Sequence, residues 1–592
     1  MRSFLICLGL LSILNGKSQS IDYTLRMGAP HTHYLEVEMV VSKLSGKTLD
    51  VKMPVWAPGS YMVREFARNV DFFEATADGK KLPWKKTDKN TWSIATNGSK
   101  EIRINYNVYA FEMSVRTSFL DDSHGYINGT SVFMYVKDKK NLSGKLTIEP
   151  HKNFKSISTG LTYISNQNGK FQYSFPDYDF LADCPIEIGN QEIFSFNASG
   201  IEHEVAMYGE GNYDKERLKQ DMAKVVESCT KVFGENPNQK YVFIIHNLTV
   251  GSGGLEHLNS TTLQVNRWTY SGSAYTDFLS LVAHEYFHLW NVKRIRADVL
   301  GPFDYDKENY STLLWVLEGF TSYYDELLLL RSGFHTQSEY LSVLSRIINT
   351  VENTPGAKIQ SASESSFDAW IKGYRTNENS VNSQISYYTK GQLLGALLDI
   401  EIIQATNGSK RLDDLLSYLY QEFYKKQKRG FSDVEFRKAA EKIAGKELKI
   451  FFEEYVEKTT AIDYEKYFAP LGMTLKKTSR EKEIAFGARL TDSGGKLIVK
   501  EVTKGTSSYE SGLNVNDEII SCNGFRVDQT SFNKMIAASK IGDEIDLLIS
   551  RDNIMQALKI KLLPNGAWDH QVTVLQSTGE NQEKLRMKWL GN

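Results

Sequence analysis

A multidomain α+β architecture is predicted, and three features of the chain predict it. Its 592 residues exceed what one hydrophobic core serves, so about two to four domains are expected. Apolar and polar residues alternate with period two through much of residues 21–196, the pattern of antiparallel sheet with one buried face. Helical spacing dominates residues 197–465, and β character returns over residues 466–564.

The segments follow in order. Arg2 precedes an apolar run from Phe4 to Leu14, and small polar residues follow to Ser20. Residues 1–20 therefore read as a secretory signal peptide, too short to anchor the chain permanently in a bilayer. No later stretch suits a transmembrane anchor, so an exported protein is expected, periplasmic or secreted. Cleavage leaves Cys184, Cys229 and Cys522. An odd number cannot all pair, and both a Cys184–Cys229 disulfide and three free thiols remain open. The formal charge of −2 has no long run of one sign, which argues against a nucleic-acid partner.

Within the first domain, Tyr34–Met39 and Ile102–Val108 alternate clearly, and Ala77-Asp78-Gly79 marks a turn. A sandwich is expected, packed on the next domain and shaping its cleft.

The central domain carries the chemistry. His284, Glu285 and His288 form an H-E-x-x-H run. Residues four apart share one helix face, so both imidazoles can converge on one cation. With one further ligand, Zn²⁺ keeps an open position and lowers the pKa of water there to about 7. Glu285 faces the same cleft and can take a proton. The flanks Phe278–Ala283 and Phe287-Leu289-Trp290 are apolar almost all round, so this helix is expected to be buried and its charged groups to need partners. Glu318 is the lone carboxylate of the apolar stretch Trp315–Phe320 and is the candidate third ligand. Upstream, Gly251-Ser252-Gly253-Gly254-Leu255-Glu256 follows the strand-like run Tyr241–Ile245. Gly253 and Gly254 would let a substrate backbone approach, and Glu256 could bind a free α-ammonium. A tyrosine hydroxyl suits oxyanion stabilisation because it donates while staying neutral; Tyr388 and its neighbour Tyr387 both qualify. Asn353–Ser380 reads as a long loop.

H-E-x-x-H followed by E-G-F-T resembles the gluzincin metallopeptidases. The longer strings from His284 to Arg296 and from Trp315 to Tyr324 resemble the glycyl aminopeptidase family, which carries a C-terminal PDZ domain. The resemblance implies a thermolysin-like, largely helical catalytic domain and one zinc ion per chain held by His284, His288 and Glu318. Glu285 would be the general base, Glu256 the amine anchor and Tyr388 the catalytic tyrosine. Thermolysin-like relatives often have an Asp four residues after the ligand Glu; here Ser322 stands there, and the partners of the zinc histidines stay open.

Residues 505–524 resemble the PDZ pattern G-L-x-x-x-D-x-I-x-x-x-N-G. By that likeness Leu471, Gly472 and Met473 would form a carboxylate-binding loop for a C-terminal peptide ligand, unless the domain is only a spacer. A tail, residues 565–592, carries the apolar pair Trp589-Leu590, which could dock on the body. The expected function is an exported zinc aminopeptidase acting on peptides with small N-terminal residues, Gly or Ala. The alternatives are a PDZ-assisted zinc endopeptidase and an inactive peptide-binding scaffold.

Overall fold

A computed structural model describes residues 19–591; residues 1–18 of the predicted signal peptide lie outside it. The N-terminal domain holds an eight-stranded sheet and two four-stranded sheets around one core that includes Tyr23, Met39, Trp92, Ile104 and Phe133. Alternation places the core residues: Ile21, Tyr23 and Leu25 are buried, and the residues between them are not. One pairing departs from the antiparallel expectation, since Ile21–Arg26 runs parallel to Gly144–Glu149.

The second domain begins before residue 197. Glu192–Ala198 is already the first strand of a new five-stranded sheet. Ile201–Tyr208, Lys240–Leu248 and Ser260–Asn266 run parallel in it, and Gly254–Glu256 closes one edge antiparallel to Ser260–Asn266. Helices follow. Residues 353–380 are not a structureless loop. Short helical segments cover Pro355–Lys358, Ala362–Phe367 and Asp368–Trp370. A capping box between Ser361 and Glu364 starts the second of these, and burial of Ala362, Ala369 and Trp370 holds them.

Buried polar groups tie the two domains together. The Glu187 carboxylate lies 2.7 Å from His124 Nδ1 and 2.9 Å from His246 Nε2, with all three residues buried. Burial alone would raise the Glu187 pKa, but the two imidazoles outweigh it and hold it below the usual range. Lys293 pairs with Asp183 at 2.7 Å, and Trp56 donates to the Asp304 carbonyl.

The C-terminal region corrects one expectation. Leu471 and Met473 have no exposed surface and join the core of the catalytic domain. Gly472, at φ +66°, caps a short 3-10 turn. Met473–Ser479 then pairs with Trp568–Val574, which is fastened to helix Gln337–Asn353 through Asn349 and His570. Leu471, Gly472 and Met473 therefore form no carboxylate-binding loop. An apolar-Gly-apolar string ends a helix as readily as it begins a PDZ groove, since both need a left-handed glycine. The PDZ sheet, with strands from Ala488–Ser493 to Ile554–Lys561, is inserted between the two paired strands. Its groove lies between Ala488–Ser493 and helix Gln529–Ala538 and is lined by Phe486, Leu490, Phe532 and Ile536. Residues 484–487 lead into that strand.

The tail docks. Helix Glu580–Leu590 buries Trp589, whose indole N–H donates to Tyr323 at 2.9 Å. Arg411 reaches from Asp399 to the Lys588 and Trp589 carbonyls. Cys184, Cys229 and Cys522 are buried and unpaired, so the disulfide alternative falls. Among the described residues no helix is long and apolar enough to cross a membrane.

Candidate active site

Helix Gly272–Phe287 is buried along most of its length, as its apolar composition requires. His284 lies in its last turn. His288 is the capping residue but keeps helical angles (φ −59°, ψ −20°), so the four-residue spacing still aligns the two rings. Their Nε2 atoms are 3.1 Å apart.

Glu318 sits at the break between the short helix Leu314–Leu317 and helix Gly319–Arg331. Its Oε2 is 3.1 Å from His288 Nε2 and 3.7 Å from His284 Nε2. Zinc–ligand bonds of about 2.0–2.1 Å in a tetrahedral set place ligand atoms about 3.3 Å apart. The three donors thus converge at the separation that one zinc ion needs, and their chemistry suits it. Burial would raise the Glu318 pKa, but the His288 charge and hydrogen bonds from both imidazoles hold it down to about 2.

The opposite ring nitrogens are also engaged. His288 Nδ1 donates to the Asn291 carbonyl at 2.6 Å, so in the neutral, metal-binding ring the Nε2 lone pair, not a proton, faces the site. Asn291 is itself held by the Val316 and Leu317 carbonyls. His284 Nδ1 lies 2.9 Å from Asp325 Oδ2. Asp325, three residues beyond Ser322, fills the role left open in the sequence. Burial pushes its pKa up to about 7 against the pull of His284. One signal for it was present: the adjacent carboxylates Asp325 and Glu326 precede the run Leu327–Leu330, and the sequence does not distinguish which of them turns inward.

Glu285 is 5 % exposed and its Oε2 has no partner. Burial raises its pKa to about 7; His284 and His288 oppose this, while Glu256 and Glu318 add to it. The edge strand presses on it, since a Cβ on Gly254 would fall 2.4 Å from its Cδ. Only glycine leaves Glu285 where it is. At the end of that strand Glu256 is buried, with Oε1 unpartnered. Donor atoms of Glu256, Glu285 and His288 all lie within 4.8 Å of one another. The N-terminal domain covers Glu256 through Gly59, at φ +85°, where a Cβ would fall 2.6 Å from Oε1. The Gly59 carbonyl in turn accepts from Tyr374. Sequence reasoning missed Gly59, because a Pro-Gly turn in a β domain carries no chemical signature.

Tyr388 lies over the His284 ring, centroids 6.3 Å apart. Tyr387 stacks on Tyr388 but is 2 % exposed, with a partnerless buried hydroxyl. Burial, then Glu318, keeps the Tyr388 hydroxyl protonated far above its ordinary range. Two glycines bring it there. A Cβ on Gly319 would fall 2.4 Å from the Gly391 Cα, and one on Gly391 would fall 2.4 Å from the Trp315 carbonyl. Helices Gly319–Arg331 and Tyr387–Ala405 therefore cross in backbone contact beside Glu318.

Comparison with known proteins agrees with this geometry. Residues 22–190 match the Peptidase M61 N-terminal domain, residues 277–394 the M61 glycyl aminopeptidase family, and residues 484–562 a PDZ domain. A crystal structure of an aminopeptidase N family protein from Idiomarina loihiensis superposes with a TM-score of 0.90 at 29% identity, covering 96% of this chain and 100% of that one. An M1 zinc metallopeptidase from Deinococcus radiodurans, with bound Tyr-Ser-Ala, reaches a TM-score of 0.50 at 14% identity over 75% of this chain and 94% of its own. That likeness concerns the fold alone. No curated protein matches the chain.

Proposed function

The chain belongs to the M61 glycyl aminopeptidase family of zinc metallopeptidases, and from that premise we propose that it removes single small residues, Gly or Ala, from peptide N-termini. His284, His288 and Glu318 would hold one zinc ion per chain. When bound, zinc supplies Lewis-acid polarisation of a carbonyl and acidifies water. Glu256 accepts hydrogen bonds from the substrate α-ammonium. Glu285 takes the proton of the attacking water and passes it to the departing amine. Tyr388 donates to the oxygen that gains charge as the carbonyl is attacked.

The observation that carries this reading is the buried, partly unpartnered carboxylate of Glu256 beside the base. Glu256 has a free buried carboxylate oxygen next to Glu285, and Gly59 packs against it. A free ammonium would pair with that carboxylate, whereas an acylated amino group carries no charge to pair with it, which disfavours the endopeptidase. The small-residue preference rests on the family. Export to the periplasm or medium rests on Arg2 and the apolar run after it. The PDZ groove, lined by Phe486 and Phe532, would take a C-terminal peptide by strand addition.

Glu256→Ala tests the proposal on alanyl-nitroanilide and its N-acetyl form. The aminopeptidase loses the free-amine substrate and never cleaves the blocked one. Equal cleavage of both by the wild type would establish the endopeptidase instead.

A further inference from the structure

Beside Tyr388 a cavity of about 320 Å³ opens, lined among others by Arg116, Lys372, Tyr374 and Gln384. Arg116 comes from the N-terminal domain, on a turn held by Ser114 and Thr117. Its side chain makes no hydrogen bond or ion pair with any described residue, and its Nε is inaccessible and unpartnered. Lys372, by contrast, is paired with Asp368 at 2.7 Å. A second guanidinium stands close by. Arg64 donates to Ser60 at 3.1 Å, and its Nε is also buried without a partner.

Two neighbouring guanidiniums with unfilled donors are costly in a half-buried place. Burial lowers the Arg64 pKa and the Arg116 charge lowers it further, with Glu112 only partly opposing. Glu285 and Glu256 are the carboxylates whose charge bears on Arg116, and Arg116 lines one cavity with Tyr388, so it faces the catalytic cleft. No carboxylate approaches either arginine closely enough to pair.

Resting on the aminopeptidase reading, we infer that Arg116, supported by Arg64, is a specificity-determining site for a carboxylate on the leaving side of the substrate. Glu256 takes the ammonium, and Arg116, in the cavity beside Tyr388, takes the negative charge. The favoured substrates are then short zwitterionic peptides, a dipeptide above all, or peptides with an acidic residue after the scissile bond. A guanidinium suits either source, because it binds carboxylates in bidentate fashion.

The test uses the full-length zinc-loaded protein and three peptides: Ala-Ala, Ala-Ala-amide and Ala-Asp-amide. Wild type should cleave Ala-Ala with a kcat/KM about 10–100-fold above that of Ala-Ala-amide, mainly through KM, the scale of one charge-assisted pair. In Arg116→Gln that ratio should fall to about one, and Arg116→Lys should restore part of it. Recovery of the preference by Ala-Asp-amide would identify a side-chain carboxylate as the source; otherwise the source is the terminal carboxylate. Equal kcat/KM for all three peptides in the wild type overturns the inference while leaving the aminopeptidase intact. A folded Arg116→Gln that keeps the wild-type ratio also overturns it. Hydrolysis of none of the three would remove the aminopeptidase reading, and this inference with it.

Discussion

Replacing Gly254 by alanine isolates the placement of Glu285 from every other part of the site. The added Cβ would fall 2.4 Å from Glu285 Cδ and Oε1 and 2.5 Å from its Cγ. Ordinary van der Waals contact begins near 3.4 Å, so the carboxylate must retreat by about 1 Å. A misplacement of that size costs about 10²-fold in rate, or about 2.7 kcal/mol of transition-state stabilisation. The backbone is not strained by the change, because Gly254 does not occupy the left-handed region. The three atoms nearest the new methyl group all belong to Glu285, so zinc content should hold at about one per chain. The assay is kcat and KM on alanyl-nitroanilide, with zinc measured by atomic absorption and folding by thermal melting. We expect kcat to fall about 10²-fold at unchanged zinc content and melting temperature. A rise in KM with kcat intact would mean that Gly254 only receives substrate backbone. Turnover within about threefold of wild type, with zinc in place, would refute the argument that this strand sets the position of the base.

Three further outcomes are expected. Asp325→Asn should weaken zinc binding about 10–100-fold, read by competition with a chelator, because Asp325 orients His284; unchanged affinity would remove that role. Tyr388→Phe should lower kcat by about 10²–10³, whereas Tyr387→Phe should leave it almost untouched, since the Tyr387 hydroxyl has no partner; the reverse result would exchange the two. His203 is wholly enclosed, and burial lowers its pKa to about 4. The folded state thus resists a proton that the unfolded chain accepts near pH 6.5. Stability from this group is complete above pH 6.5 and is lost as pH falls toward 4, by at most about 3 kcal/mol. Urea unfolding of chelated wild type and His203→Phe should therefore show a shallower acid slope in the variant, and equal slopes would contradict the assignment.

Much of the site was legible because its chemistry is local. His284, Glu285 and His288 need only one helical turn to converge, and Glu318 stood out as a charge in apolar surroundings. Asp325 gave a weaker signal, because Glu326 stands beside it in the chain. It reaches His284 because it lies seven residues beyond Glu318, two turns along helix Gly319–Arg331 and so on the same face as the ligand. Leu471-Gly472-Met473 misled for a related reason: a left-handed glycine between apolar residues serves a helix end and a PDZ loop alike. Period two located the N-terminal sheets but not their parallel pair, since alternation reports which face is buried and not strand direction.

The amino-acid order alone determined which groups can bind a cation, move a proton or cap a helix, because those capacities belong to side chains and their near neighbours. Only the tertiary structure decided what surrounds the cleft. Gly59 against Glu256, Gly319 against Gly391 and Arg116 beside Tyr388 join residues far apart in the chain. Contacts of that kind come from the packing of whole domains, and no local pattern encodes them.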